Sequence, residues 1–219
     1  MKTLCLFLIV TLVSFSLVSC GSTPEPVDEH VSEKAYSVSA DCVMYDTLSG
    51  INDSADCMIV AKVLSKGSPL AIGYSASELA DFSDLIETNP ALASKMSLSI
   101  HTPYAIEVKE VISSDVALSV GDTIDLYQIG GTLGGITLND SSTVPLDVGA
   151  EYVLILDKHA LSDSVTYYCM ITPIQGYAEI VETNTDARNK TTTYKTHEEN
   201  HLFDSIYSVA DIYDAIEHD

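Results

Sequence analysis

Six segments of this chain carry the apolar patterning of β-strands and follow one another with turn signals between them. The first, Asp56-Cys57-Met58-Ile59-Val60-Ala61-Lys62-Val63, is a nearly continuous apolar run. In the second, Tyr104-Ala105-Ile106-Glu107-Val108-Lys109, the period is two. It places Tyr104, Ile106 and Val108 inside, and Glu107 and Lys109 outside. Val120-Gly121-Asp122 is a turn signal, and Thr123 to Ile129 follows as a third strand. Tyr152-Val153-Leu154-Ile155-Leu156, preceded by Val148-Gly149, is apolar on both faces, which predicts a central strand. Val165 to Ile171 and Tyr177 to Val181 complete the set, separated by Pro173 and Gly176. Six such strands predict a mainly β domain, a small barrel or a sandwich.

Two stretches carry a helical period instead. Between the first two strands, Ser75-Ala76-Ser77-Glu78 has the spacing of a capping box, and Leu79, Phe82, Leu85 and Ile86 repeat behind it. Asn89-Pro90 suits the cap and first position of a second short helix running to about Met96, so a helical insertion is expected over 75–97. Near the C-terminus, Leu202, Ile206, Val209, Tyr213 and Ile216 form one apolar stripe. It predicts a helix over 197–219 packed on the barrel.

The N-terminal segment has a different pattern. Lys2 is followed by an apolar stretch from Leu4 to Leu17, shorter than the roughly 20 residues a bilayer span needs. A basic start, an apolar run and small residues describe a secretory signal. Here the small residues lead into a cysteine, and Leu17-Val18-Ser19-Cys20-Gly21 resembles the lipobox of bacterial lipoproteins. The resemblance implies that residues 1–19 are a signal peptide and that Cys20 is acylated, becoming the first mature residue. Stable anchoring takes at least two acyl chains, which that modification supplies. From Gly21 to about Ala40 the composition is polar and without periodicity, so 20–40 is expected to be the lipidated cysteine and a disordered tether. The folded domain is then expected over 41–196.

Composition narrows the partners. Ten Lys and Arg stand against 32 Asp and Glu, for a formal net charge of −22. Such a surface repels nucleic acid and anionic lipid headgroups, leaving the lipid anchor as the expected contact with the membrane. A cationic partner is compatible with it. With Cys5 and Cys20 set aside, Cys42, Cys57 and Cys169 remain. Their spacing forms no zinc motif. They allow one disulfide with one thiol over, or buried thiols in the strands.

The strand segments resemble, in their order, uncharacterised secreted lipoproteins of low-GC Gram-positive bacteria. The resemblance rests on Ser54-Ala55-Asp56, on Tyr104 to Val111 and on Leu118-Ser119-Val120-Gly121-Asp122-Thr123-Ile124. Gly130-Gly131, Val144-Pro145-Leu146, Gly149-Ala150-Glu151-Tyr152-Val153-Leu154 and Gln175-Gly176 extend it over residues 45–182. The same order is similar to the OB-type barrel of netrin-like and metalloproteinase-inhibitor domains. That resemblance implies an OB-like barrel, and with the patterning above the expected fold has about six strands, the helical insertion between strands one and two, and the C-terminal helix.

Three stretches invite chemistry. His197-Glu198-Glu199-Asn200-His201 is a literal H-E-x-x-H: on a helix the two histidines would share a face and hold zinc, with Glu198 as general base. Charged Glu199 and Lys195 stand where zinc peptidases of this type carry uncharged residues. A structural reading uses the same residues, with Thr196 capping the helix and Glu199 closing a capping box. Gly130-Gly131-Thr132-Leu133-Gly134-Gly135 lacks the Lys-Ser/Thr pair of a phosphate loop and reads as a flexible loop leaving the third strand. It would border a ligand groove, since OB-type barrels bind along one face and its flanking loops.

The expected function is a non-catalytic binding or interaction module without a cofactor, on the extracytoplasmic face of a membrane, taking a protein or small-molecule ligand. Two alternatives stand beside it: a zinc-dependent hydrolase built on His197, Glu198 and His201, and a barrel inhibitor of an envelope protease. Acylation of Cys20 would block the free N-terminal cysteine that the inhibitor family presents to its protease.

Overall fold

The computed structural model describes residues 34–38, 42–72, 99–162, 165–186 and 189–218, together with Glu78, Asp81, Asp84 and Thr88. Its strands are β1 (Lys34–Val38), β2 (Cys57–Lys66), β3 (Leu70–Ala71), β4 (Ile100–Ser114), β5 (Thr123–Ile129) and β6 (Gly131–Leu133). They continue with β7 (Ile136–Asp140), β8 (Glu151–Ser162), β9 (Val165–Met170), β10 (Tyr177–Asp186) and β11 (Asn189–Lys195). Helix α1 (Leu48–Asn52) precedes β2, and a C-terminal helix spans Val209–His218.

Five strands close a barrel. Around the ring, β2 pairs β4, β4 pairs β5, β5 pairs β9, β9 pairs β8, and β8 returns to β2. Every pairing is antiparallel except β5–β9. Counted along the chain, the ring runs first, second, third, fifth, fourth, so the mainly β, OB-like expectation holds. The sixth expected strand is the start of β10, which lies outside the ring and pairs with Glu151–Leu154 of β8.

Apolar residues on both faces of β2 and β8 explain why these two strands are central. Cys57, Ile59, Ala61 and Val63 of β2 point into the barrel with Tyr152, Leu154 and Leu156 of β8. Tyr104, Ile106, Val108, Leu126 and Tyr168 fill the rest, so the interior is packed by side chains. The opposite faces, Met58, Val60, Val153 and Ile155, form a second core beneath Leu48, Ile51, Phe203, Ile206 and Ile212. The alternation of β4 changes hand along its length. Register shifts against β2 bring Val111 toward the barrel and Ile112 into the outer core, whereas Ile106 and Val108 face inward. An extra residue in one strand re-aims every side chain beyond it.

The structure departs from the sequence pattern at four places. Lys34–Val38, placed in the disordered tether, is a strand parallel to β7. The glycine-rich stretch is a hairpin rather than a flexible loop. Gly134 and Gly135 have φ of 59° and 80°, the positive pair of a two-residue turn whose twist matches its strands. Asn189–Lys195, too polar to show a period, pairs with β10 as an outer hairpin.

Fourth, the C-terminal helix begins only at Val209, not at 197. The capping pair is Ser208 and Asp211. The Asp211 N–H donates to Ser208 Oγ at 3.2 Å, and Asp211 Oδ2 accepts from the Tyr207 N–H at 2.9 Å. Upstream, buried Asn200 turns the chain, its Oδ1 accepting from the Leu202 N–H and its Nδ2 donating to the Tyr177 carbonyl. An Asn that bonds nearby backbone offers the chain a turn in place of a helix. Ile206 is buried and Leu202 half-buried against the same core, but neither lies on a helix.

The predicted helical insertion over 75–97 lies largely outside the described residues. The four described there, Glu78, Asp81, Asp84 and Thr88, are helical and exposed, and Thr88 Oγ1 donates to the Asp84 carbonyl at 2.9 Å. No helix among the described residues is long and apolar enough to cross a membrane.

Candidate functional site

His197 and His201 follow β11 on a segment of turns, so no helix face brings them together. His197 is half-buried, and its Nδ1 accepts from the Glu199 N–H at 3.2 Å. His201 is exposed, with Nδ1 at 3.2 Å from Asp204 Oδ2. Thr196 does not cap a helix: its Oγ1 donates to the Asn200 carbonyl at 3.3 Å. Among the described residues, no three His, Cys, Asp or Glu side chains are grouped to hold a metal ion. Cys20 and the rest of the lipobox lie outside the described residues.

His197 does border a cleft of about 290 Å³, together with Glu198. The register of three strands builds its floor. Tyr152 of β8 stands opposite Glu179 of β10, and Glu179 stands opposite Lys195 of β11, so one lateral row runs out of the barrel core. Lys195 Nζ lies 3.2 Å from Glu179 Oε2. Tyr177, two residues before Glu179, lies on the same face of β10. The loop Val144-Pro145-Leu146-Asp147 forms the facing wall. It is held there by the Asp147 N–H, which donates to Tyr152 Oη at 2.9 Å.

Tyr152 and Tyr177 are almost wholly buried, 3% and 4% exposed, yet both line the cleft. Burial, followed by the neighbouring phenol of Tyr152 and the carboxylate of Glu179, pushes Tyr177 up to about 12. Burial also raises Tyr152; the bond from the Asp147 N–H opposes the shift, and the charges of Glu179 and Asp147 add to it. Both phenols therefore stay neutral across physiological pH. Tyr177 Oη has no hydrogen-bond partner among the described residues, and Tyr152 Oη is engaged only as an acceptor. Chemically, this is a partly apolar slot carrying the carboxylates of Asp147, Glu179 and Glu198 against one lysine.

Gly130 and Gly131 border a second groove, of about 210 Å³, beside Thr102 and Gln128. Thr102 Oγ1 donates to the Gly130 carbonyl at 2.7 Å. A Cβ on Gly131 would meet Pro69 Cγ and Thr102 Oγ1, each at 2.8 Å, and its φ is +130°, so this glycine serves close packing. On the outside of the barrel, His159, Tyr167, Tyr127 and His101 form a row across β8, β9, β5 and β4. Tyr127 and Tyr167 stack at 4.8 Å, so their ring faces cover one another rather than solvent.

Cys42, Cys57 and Cys169 are free thiols. Burial, then the charges of Asp56 and Asp157, takes Cys57 up to about 12; burial and Asp157 take Cys169 to about 11. Neither is activated as a nucleophile.

The cleft escaped the sequence reading because Tyr152 and Tyr177 show there only as core residues of apolar strands. The available signal was the pairing of an acidic and a basic residue, Glu179 and Lys195, on segments that a hairpin would join. No family model matches the chain, and neither curated proteins nor solved structures provide a match.

Proposed function

We propose that this chain is a lipid-anchored, extracytoplasmic binding module, held at the membrane through Cys20, with no catalytic step of its own. The observation that carries the binding reading is the cleft at the edge of a barrel whose interior is already packed. Its two phenols and three carboxylates are preformed polar contacts facing the apolar side chains of Val144, Pro145 and Leu146. The lipobox-like run Leu17-Val18-Ser19-Cys20 supports the anchor. His197 and His201, set on turns with one ring nitrogen of each engaged, support binding over zinc hydrolysis.

Two measurements test the reading. Cys20→Ala should release the protein from membranes or block its maturation, and unchanged membrane retention would refute the anchor. Metal analysis of the purified domain after zinc reconstitution should find no stoichiometric zinc. Zinc that is bound one to one and lost on changing His197 and His201 to Ala would replace the binding module with the hydrolase.

A further inference from the structure

We infer that the cleft between the Val144–Asp147 loop and the ends of β10 and β11 is a site for a primary alkylammonium group, the chemistry of a lysine side chain. This deepens the binding reading above and rests on it.

The chemistry of the lining selects the ligand. Of the three carboxylates, Glu179 is neutralised in place by Lys195 at 3.2 Å. Asp147 and Glu198 remain, and no described basic side chain pairs with either. Tyr177 supplies an independent pointer. Its side chain is more than nine-tenths buried and borders the cleft, yet its hydroxyl is unpartnered among the described residues. That hydroxyl is not sealed from solvent, so a ligand donor in the cleft would take the place of water on it. A phenol oxygen accepts an N–H, and the carboxylates of Asp147 and Glu198 on the same lining are further acceptors for an ammonium. The apolar remainder of the slot, Val144, Pro145 and the ring of Tyr152, suits a methylene stem, and electron-rich rings favour a cation near their faces. The whole-protein charge of −22 draws such a ligand in.

Titration of the full mature domain, followed by NMR at Tyr152, Tyr177 and Lys195, tests this with three probes. These are Nα-acetyl-lysine amide, the uncharged isostere Nα-acetyl-norleucine amide, and the free diamine cadaverine. The lysine probe should give saturable shifts confined to the cleft, at least about tenfold tighter than the norleucine probe. Equal binding by cadaverine assigns the site to free amines, and weaker binding assigns it to lysine-bearing peptides. Tyr177→Phe and Glu198→Gln should each weaken the lysine probe by about fivefold or more. Glu217→Gln, the same charge change on the C-terminal helix, should leave its affinity as it was. If Glu217→Gln weakens binding as much as Glu198→Gln, the contact is only diffuse attraction to an acidic surface, and the site is overturned. Saturable shifts from the norleucine probe at equal affinity overturn the cation assignment and leave the binding module standing. No saturable shift from any probe up to about 10 mM removes the cleft as a ligand site, while the anchor is judged separately by Cys20→Ala.

Discussion

The side-chain amide of Gln175 pairs with both backbone polar groups of Tyr45, a residue 130 positions earlier. The Tyr45 N–H donates to Oε1 at 2.7 Å, and Nε2 donates to the Tyr45 carbonyl at 2.9 Å. Gln175 thereby imitates a strand neighbour for the segment that leads into α1. It is itself fixed by its own N–H, which donates to Thr172 Oγ1 at 2.8 Å. The adjoining Gly176 is as constrained, because a Cβ there would stand 2.4 Å from the Thr172 carbonyl. Gln175→Ala should cost about 2–4 kcal/mol, since two part-buried bonds are lost and polar groups are left unpaired. Urea denaturation reads this as a lower midpoint at unchanged slope. Full stability in the variant would contradict the clamp.

Where β5 meets β9, the ladder shows a single residue pair, Leu126 and Tyr168. The stack of Tyr127 on Tyr167 reinforces that seam from outside. A double-mutant cycle replacing each by Ala should return a coupling of about 1 kcal/mol, and a coupling near zero would mean that the backbone closes the barrel unaided.

The cap of the C-terminal helix separates two candidate starts. Ser208→Ala should cost about 1 kcal/mol, because Ser208 Oγ accepts from the Asp211 N–H. Thr196→Ala should leave the helical circular dichroism unchanged, and its loss there would restore the earlier start.

Alkali should weaken the fold from about pH 9 upward. Cys57 and Cys169 move from 9.0 to about 12 and about 11, and burial lifts Tyr177 and Tyr194 from 10.0 to about 12. In the unfolded chain these groups release their protons between about pH 9 and 10, while the folded chain keeps them to about 11 or 12. The native state then holds more protons, so stability falls as pH rises through that window. Thermal melts from pH 8 to 11 check the slope. Cys57 should also resist thiol reagents at pH 8 until the protein is unfolded.

Acid acts through His101. Burial lowers its pKa below 6.5, with a bond from Ser99 opposing the shift. The unfolded chain takes up this proton first, so the contribution of neutral His101 is full above pH 6.5 and is lost as pH falls below it. A His101→Gln variant should show a shallower decline in Tm between pH 7 and 5 than the parent.

Much of the barrel was legible because it obeys short periods. Tyr104, Ile106 and Val108 point inward as their spacing predicts, and Thr123–Ile129 has the boundaries that its turn signal implies. That turn is closed by the Asp122 N–H donating to the Ser119 carbonyl and by the Ser119 N–H donating to Asp122 Oδ2. The end of the chain misled because Leu202 and Ile206, four apart, mimic one helical face, while the residue deciding the local backbone is Asn200 between two histidines. The cleft was illegible for a different reason. Its row of Tyr152, Glu179 and Lys195 exists only through lateral register, and no local period connects residues on three strands.

The shared wall made by β2 and β8 has a thermodynamic consequence. Met58, Val60, Val153 and Ile155 are pinned by the helical and turn segments outside, while their immediate neighbours in sequence line the barrel. Stripping the outer layer therefore exposes the back of the strands that carry the inner one, and opening the ring removes the platform on which the outer layer sits. Neither layer should therefore melt on its own. Heat should take the domain apart in one cooperative transition, with calorimetric and van't Hoff enthalpies in agreement.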